Sequence, residues 1–564
     1  MINVFISSIF SSIILISYGA LFSKLFFNKK LENVDPWIAG IYGFIIVGFI
    51  SLLLNFFFPI NKLIGTIFFI FSIILFINYF IKLKKKNEFA ILVLFVSISS
   101  FLLITLSNIN RPDAGLYHLP FISILQDNKI ILGLTNLHYR FGHTSIFQYI
   151  SAIYNNYFII DEFINFPLAS LVSFYILFLL KKFTESFKKK LEVETASIFL
   201  IIVFSLYSFN RYSNYGNDAP ANIFFFILIL TILKIENIRK ISFENFFNVL
   251  LISIFLLTIK PSMVIVFALP FFLFLLTDNK IKILKHKNSI VCMLLIIFWI
   301  VKNFLISGCA VFPIKKTCIN KIDYYDTSTT IIASTEAEAW SKAYPDSNNK
   351  LSFNEYNSNF NWVNTWFKSH FKVIIEKLAP FLLFLILFFV IRMLKKSSYN
   401  IFNYIFFFKN KNMLLIISFT LYCCFFWFLK FPVYRFGLAF IASFIIFLFI
   451  NLFDNKKFFY NKKTYYSIIG IGLIVFYGKN INRIIKHSDL TYNNFPWPKI
   501  YSMEDNSENI KQKFTSIKDN ENNLIYYYSE GKECMYSNSP CSNYYQKNIL
   551  LKIKKGYSIY YLKN

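Results

Sequence analysis

Charge is scarce in this chain. Only 16% of its 564 residues are Asp, Glu, Lys or Arg, 56% are hydrophobic and the mean hydropathy is +0.52, which excludes a string of soluble domains. Glycine is also sparse at 16 residues and cysteine at 7, so neither a collagen-like chain nor a fold built mainly on disulfides fits. The same apolar excess excludes disorder. Acidic residues are fewer still, 30 Asp+Glu against 58 Lys+Arg, a balance of +28. That surplus falls in short clusters between apolar runs of membrane-spanning length, so the partner it implies is a lipid bilayer and not a nucleic acid.

What the chain has in quantity is apolar runs. Spans of about 17 to 25 residues fall near 3–25, 36–58, 63–81, 89–107, 163–180, 195–209, 219–235, 244–259, 262–277, 289–306, 376–393, 413–430, 436–453 and 465–478. The expected fold is an all-α polytopic membrane protein of about fourteen transmembrane helices, in a range of about 12–15. Loop helices outside and a small strand-containing C-terminal cap complete it. Met1 to Ser7 carries no basic residue while Lys24, Lys29 and Lys30 follow the first run, so that run reads as an anchor with its amino end outside. Alternate connections carry Lys29-Lys30, Lys82 to Lys86, Lys181-Lys182 with Lys188 to Lys190, Arg239-Lys240, Lys280 to Lys287, Arg392 to Lys396 with Lys409 to Lys411, and Lys456 to Lys463. Cytoplasmic loops collect Lys and Arg, so all of these face the cytoplasm. Both termini then face outside. The helical domain 1–478 bears outside loops 108–162, 210–218 and 307–375, the segment 479–564 is extracytoplasmic, and the expected location is a bacterial inner membrane.

Cys292, Cys423 and Cys424 lie inside apolar runs and read as buried thiols, whereas Cys309, Cys318, Cys534 and Cys541 fall outside. Four thiols allow three pairings, and the short local loops favour Cys309 with Cys318 and Cys534 with Cys541. A four-cysteine zinc site is the alternative.

The first outside loop gathers Asp113, Tyr117, His118, Asn136, His138, Arg140 and His143, including three of the 6 histidines. Behind it, Ile146, Ile150, Ile153 and Tyr157 have the spacing of a helix lying along the membrane with its apolar side down. Asp113 follows Arg111-Pro112 just beyond a span, either as a cap for a helix starting at Ala114 or as a proton acceptor. Asp218 opens the next outside corner before Ala219-Pro220, again as a cap or as a second carboxylate that converges with Asp113 to take a proton or hold a metal ion. Lys260 and Arg435 sit at outer corners, where a cation snorkels or meets an anion. With Arg140 they would neutralise a phosphate or pyrophosphate at the membrane face. Trp362, Trp366 and His370 share a helical stripe, either an interfacial belt or a platform for a sugar ring.

A multi-span protein with an acid on its first large outside loop resembles the integral-membrane glycosyltransferases of the C superfamily, which use polyprenyl-phosphate-linked sugars. Asp113 to His118, Gly133-Leu-Thr-Asn-Leu-His-Tyr-Arg, Lys302-Asn-Phe-Leu-Ile-Ser-Gly-Cys-Ala-Val-Phe-Pro, and Cys534 to Cys541 with Pro540 are similar to a bacterial family of multi-span envelope proteins of that shape. The superfamily resemblance implies that Asp113 is the catalytic acid/base or metal-binding group. The usual second carboxylate is absent beside it, since Ala114 follows, and Asp218 is the candidate to supply it. The expected activity is transfer of a sugar from a polyprenyl-phosphate donor to an envelope glycan, lipid or protein acceptor. Catalytic Asp113 and Asp218 would be surrounded by substrate-binding Tyr117, His118, His138, Arg140, His143, Lys260 and Arg435, with a divalent cation as the candidate cofactor. Two rivals stand beside it: an O-antigen polymerase or ligase, working through Arg and His, and a lipid-linked oligosaccharide flippase or other transporter, which needs charges deep in its spans.

Overall fold

A computed structural model describes residues 1–105, 113–209, 216–347, 351–394, 411–451, 462–486, 497, 514–519, 521–530 and 533–563, with the side chains of 391–394 and 411 left aside. The starts of two predicted outside loops (108–112 and 210–215), the basic stretches 395–410 and 452–461, and 487–496 with 498–513 of the tail lie outside the described residues.

The chain is mostly helical. The first half runs α1 (Ile2–Phe27), α2 (Pro36–Phe57), α3 (Lys62–Lys82), α4 (Lys86–Leu103), α5 (Leu119–Asp127), α6 (Ile146–Ile153), α7 (Phe166–Lys188), α8 (Glu192–Ser208), α9 (Asp218–Leu233) and α10 (Phe243–Ile259). The second runs α11 (Ala268–Leu276), α12 (Lys280–Lys285), α13 (Lys287–Ser307), α14 (Thr327–Ser341), α15 (Phe353–Asn357), α16 (Val363–Trp366), α17 (Lys372–Leu394), α18 (Lys411–Lys430), α19 (Tyr434–Asn451) and α20 (Lys462–Ile485). Every apolar run read from the sequence carries helix. Among the described residues ten helical stretches are long and apolar enough to cross a membrane, with shorter apolar helices at Asp218–Leu233, Phe243–Ile259 and Pro261–Leu276. The protein is therefore a multi-pass membrane protein. One run is less regular than its pattern: 262–277 opens with a 3-10 turn over Pro261–Phe267 before α11 begins.

Packing follows the burial that each face can sustain. Helix α7 is apolar all round from Phe166 to Leu180 and central, with Leu171, Val172, Phe174 and Tyr175 fully buried. Helices α1 and α2 lie close enough that a Cβ on Gly19 or Gly43 would collide with the backbone of the facing helix at Ala39 or Leu15. Hydroxyls join helices where lipid offers no partner: Ser11 with Ser170 at 2.7 Å and Ser100 with Ser173 at 3.1 Å. In contrast, Leu63, Ile67, Ile70, Ile74, Ile77 and Ile81 make an exposed stripe along α3, the face a helix presents to acyl chains.

The bundle has two distinct ends. At one, Lys29 after α1 pairs with Glu244 in the first turn of α10 at 2.6 Å, and Asn288 of α13 donates to the Phe26 carbonyl at 2.9 Å. At the other lie the start of α9 and the ends of α10 and α13, together with the loops and the C-terminal sheets. There β1 (Thr515–Lys518) and β2 (Leu524–Tyr528) pair antiparallel, β3 (Cys541–Ser542) adds parallel to β2, and β4 (Ile549–Lys554) with β5 (Tyr557–Leu562) forms a hairpin. The hairpin is sewn to the first loop: Leu132 N–H donates to Ser558 O and Tyr560 N–H to Leu132 O, both at 2.9 Å. Disulfides join Cys309 to Cys318 and Cys534 to Cys541.

Helix α6 departs from its sequence pattern. All eight of its residues are buried, so it is an internal helix and not one lying open on the membrane, and Tyr157 falls beyond its end. Its polar face is used inside the protein, where Ser145 and Gln148 form a capping box and Gln148 also reaches His118.

Candidate functional site

Five charged side chains from four separate stretches of chain meet at the loop-bearing end. Asp113 opens the π-helical turn Ala114–His118, and Arg140 lies in a 3-10 turn of the same loop. Asp218 is the first residue of α9, Lys260 ends α10 and Arg435 stands in the first turn of α19. Burying such groups along an apolar helix is costly, and these five stand at helix ends or in the loop.

The contacts form a chain. Arg140 Nη1 donates to Asp113 Oδ1 at 3.2 Å, Arg435 Nη2 lies 3.8 Å from Asp113 Oδ2, Arg435 Nε is 3.2 Å from Asp218 Oδ2, and Lys260 Nζ donates to Asp218 Oδ1 at 2.6 Å. Asp113, at the N-cap of its turn, makes no side-chain cap bond, and Asp218 stands one residue inside α9, whose N-cap is Asn217. Two carboxylates against three cations leave one positive charge over, the condition for drawing in an anion. The cluster also opens outward, since the Arg435 side chain is 58% exposed and that of Asp113 38%, whereas that of Lys260 is 16% exposed.

Aromatic faces and backbone hold the cations. Lys260 Nζ stands 3.0 Å from the centre of the Phe436 ring, and the Arg140 guanidinium lies 5.5 Å from that of Tyr117. Asn222 of α9 fixes α19 by donating to the Arg435 carbonyl at 3.0 Å and accepting from Ala439 N–H at 3.1 Å. Tyr139 accepts from Arg140 Nε at 3.3 Å and donates to Glu336 Oε1 of α14 at 3.0 Å. Burial pushes the Lys260 ammonium down to about 8 against the opposing pull of Asp218, so at neutral pH it remains mostly charged. The Tyr117 hydroxyl is pushed up by burial and remains protonated.

Asp113, Asp218, Arg140, Lys260 and Arg435 are thus brought together, with Tyr117 beside them. The histidines are not part of that chain. His118 is buried with Nδ1 2.8 Å from Gln148 Nε2, and buried His138 accepts the Arg140 N–H at 3.0 Å as the cap of its turn. His143 packs on Phe312, its buried Nε2 without a hydrogen-bond partner among the described residues. Burial lowers all three imidazoles, to about 4 for His118, about 3 for His138 and about 4 for His143. At neutral pH they are uncharged and add nothing to anion attraction.

Trp362 and Trp366 do not form an open platform for a sugar. Both are buried against Phe428, and Trp366 Nε1–H donates to the Pro432 carbonyl at 2.6 Å. Among the described residues no cluster of three or more His, Cys, Asp or Glu has the arrangement of a metal site. Two groups near the cluster were not among the expected site residues. Lys302 is fully buried and donates to Thr144 Oγ1 at 2.6 Å and Asn303 Oδ1 at 3.3 Å, and Glu533 comes from the C-terminal segment to rest beside Gly115. The one signal for Glu533 was an acid directly preceding a disulfide cysteine.

No curated protein and no solved structure matches the chain. Residues 1–442 match a family whose description is Domain of unknown function (DUF8201), and the chain belongs to that family.

Proposed function

We propose that this protein is a membrane glycosyltransferase that moves a sugar from a polyprenyl-phosphate donor to an envelope glycan, lipid or protein. In this reading it sits in a bacterial inner membrane with about fourteen spans and both termini outside, the basic connections lying in the cytoplasm. The observation that carries the reading is the unbroken chain Arg140–Asp113–Arg435–Asp218–Lys260 at the loop-bearing end of the bundle. A lipid phosphate arriving from the outer leaflet meets three cations and one unbalanced positive charge there. It takes over Lys260, Arg435 and Arg140 from the carboxylates.

That exchange frees Asp113. The acceptor hydroxyl gives its proton to Asp113 as its oxygen bonds to the anomeric carbon. The bond from that carbon to the phosphate oxygen breaks, and the phosphate leaves with the electron pair beside the three cations. Asp218 holds Lys260 and Arg435 in place before and after the step. Transport is the weaker reading because these charges sit at helix ends, not along the helices.

The test is complementation of a strain lacking the protein, with envelope glycans read by mass spectrometry and protein level by immunoblot. Asp113→Asn keeps shape and volume, so its transfer should fall by on the order of 10² to 10⁴ at normal accumulation. Asp218→Asn and Lys260→Met should also be impaired. Full restoration of every glycan by Asp113→Asn would sink the proposal.

A further inference from the structure

The C-terminal segment does more than cover the first loop. Before β3 the residues 533–540 run along the turn that carries Asp113, clamped by the Cys534–Cys541 disulfide. Met535 N–H donates to the Gly115 carbonyl at 2.9 Å, Asn128 Nδ2–H donates to Ser539 Oγ at 3.2 Å, and Ser539 Oγ–H donates to Asp127 Oδ2 at 2.8 Å. Tyr536 also bonds to Gln126. This clamp puts the Glu533 carboxylate where a side chain on residue 115 would be: a Cβ there would lie 2.5 Å from Glu533 Oε2. Gly115 is two residues from Asp113. Any larger residue would push the carboxylate away.

Among the described residues Glu533 has no cation and no hydrogen-bond donor of its own. It is half-buried beside the Asp113 turn. Among the described residues this carboxylate has no structural bond to maintain, whereas Asp113 and Asp218 are each held by two cations. We infer that Glu533 is the second carboxylate of the Asp113 site, taking from Asp113 the proton released by the acceptor hydroxyl and delivering it to outside water. The inference rests on the transfer reading above. Its balance is simple: Asp113 returns to its carboxylate, Glu533 becomes a carboxylic acid, and water removes that proton before the next turnover.

The electrostatics agree with the geometry. Burial, and then the charge of Asp113, push the Glu533 carboxyl up to about 7, where it gains and loses a proton near neutrality. Among the described residues the charged groups around it are Asp113 and, through Asp113, Arg140 and Arg435.

Two measurements test this. The first needs no substrate: carbodiimide labelling of Glu533 in the intact purified protein, mapped by peptide mass spectrometry across pH. Labelling of the protonated form should fall with a midpoint near the raised value, and Asp113→Asn should move that midpoint down. A midpoint indifferent to Asp113 would overturn the coupling. The second is glycan transfer against external pH in cells carrying Glu533→Gln. Transfer should drop on the order of 10²-fold and lose the rise through neutral pH expected of the unaltered protein, while retention of polyprenyl phosphate should be unchanged. Glu533→Asp, which keeps the acid but shortens its reach, should restore part of the rate. Glu533→Gln with normal transfer and an unaltered pH profile would refute the role of Glu533 and leave the Asp113 reading standing. Normal transfer by Asp113→Asn would instead refute the reading on which this inference rests.

Discussion

Removing the Asp218 charge offers the sharpest electrostatic test. Asp218→Asn keeps an oxygen near Lys260 but removes the opposite charge that lies 2.6 Å from its Nζ. A unit-charge pair about 3 Å apart in an effective dielectric of about 20 interacts by about 5 kcal/mol. The net loss is smaller, because the carboxamide still accepts a hydrogen bond and water enters. A conservative floor is about 1.4 kcal/mol, one unit of pKa. Lys260 stands at about 8 with Asp218 in place. In the variant its midpoint should therefore fall to neutrality or below, so that at pH near 7 half or more of the amine is neutral. Reductive methylation with labelled formaldehyde across pH, read at the Lys260 peptide, measures this directly. Arg435, a like charge that loses one of its two carboxylate partners in the variant, acts in the same direction. A Lys260 midpoint unchanged or raised in Asp218→Asn would refute the reasoning.

Three further outcomes follow from the surroundings of the site. His118, His138 and His143 have folded values of about 4, about 3 and about 4, below the ordinary 6.5. The unfolded chain therefore binds more protons between those values, and stability present above pH 6.5 is lost as pH falls, by at most about 1.4 kcal/mol per unit for each histidine. Glu533, raised to about 7, contributes the opposite slope between its unfolded 4.5 and that value; melts across pH should show the histidine loss reduced in His118→Asn, and an unchanged acid profile would contradict the assignment. Lys302→Met replaces a buried amine that has only neutral partners with a side chain of similar length, so the melting temperature should hold or rise, and a drop of several degrees would show that the amine supports the fold. Nonreducing peptide maps should recover Cys309 with Cys318 and Cys534 with Cys541 while Cys292, Cys423 and Cys424 remain thiols, and free alkylation of the outside four without reductant would contradict the pairing.

Much of this was legible because membranes make charge informative. Asp113, Asp218, Lys260 and Arg435 stood out as ionisable groups at the ends of apolar runs, where desolvation makes such residues rare. Their convergence was a reasonable expectation, but their partners were not readable: nothing in the spacing says that Arg435 bridges two carboxylates. The histidines misled because residue type signals chemistry while direction depends on packing, and His118 turns inward to Gln148. Helix α6 misled for the same reason, its period fitting a membrane surface or a protein interior equally well. Glu533 was least legible. It comes beside the Asp113 turn through a clamp that includes the Ser123 hydroxyl donating to the Ser537 carbonyl, 414 positions apart, and no local pattern encodes a contact of that range.

The most direct measurement is native mass spectrometry of the purified protein with polyprenyl phosphate. The unaltered protein and Asp113→Asn should each retain one lipid, because the three cations that meet the phosphate remain. Lys260→Met and Arg435→Gln should lose it, with retention falling about tenfold or more for each loss of about 1.4 kcal/mol. Equal retention by all four proteins would contradict the claim that this chain of charges is where a lipid phosphate binds.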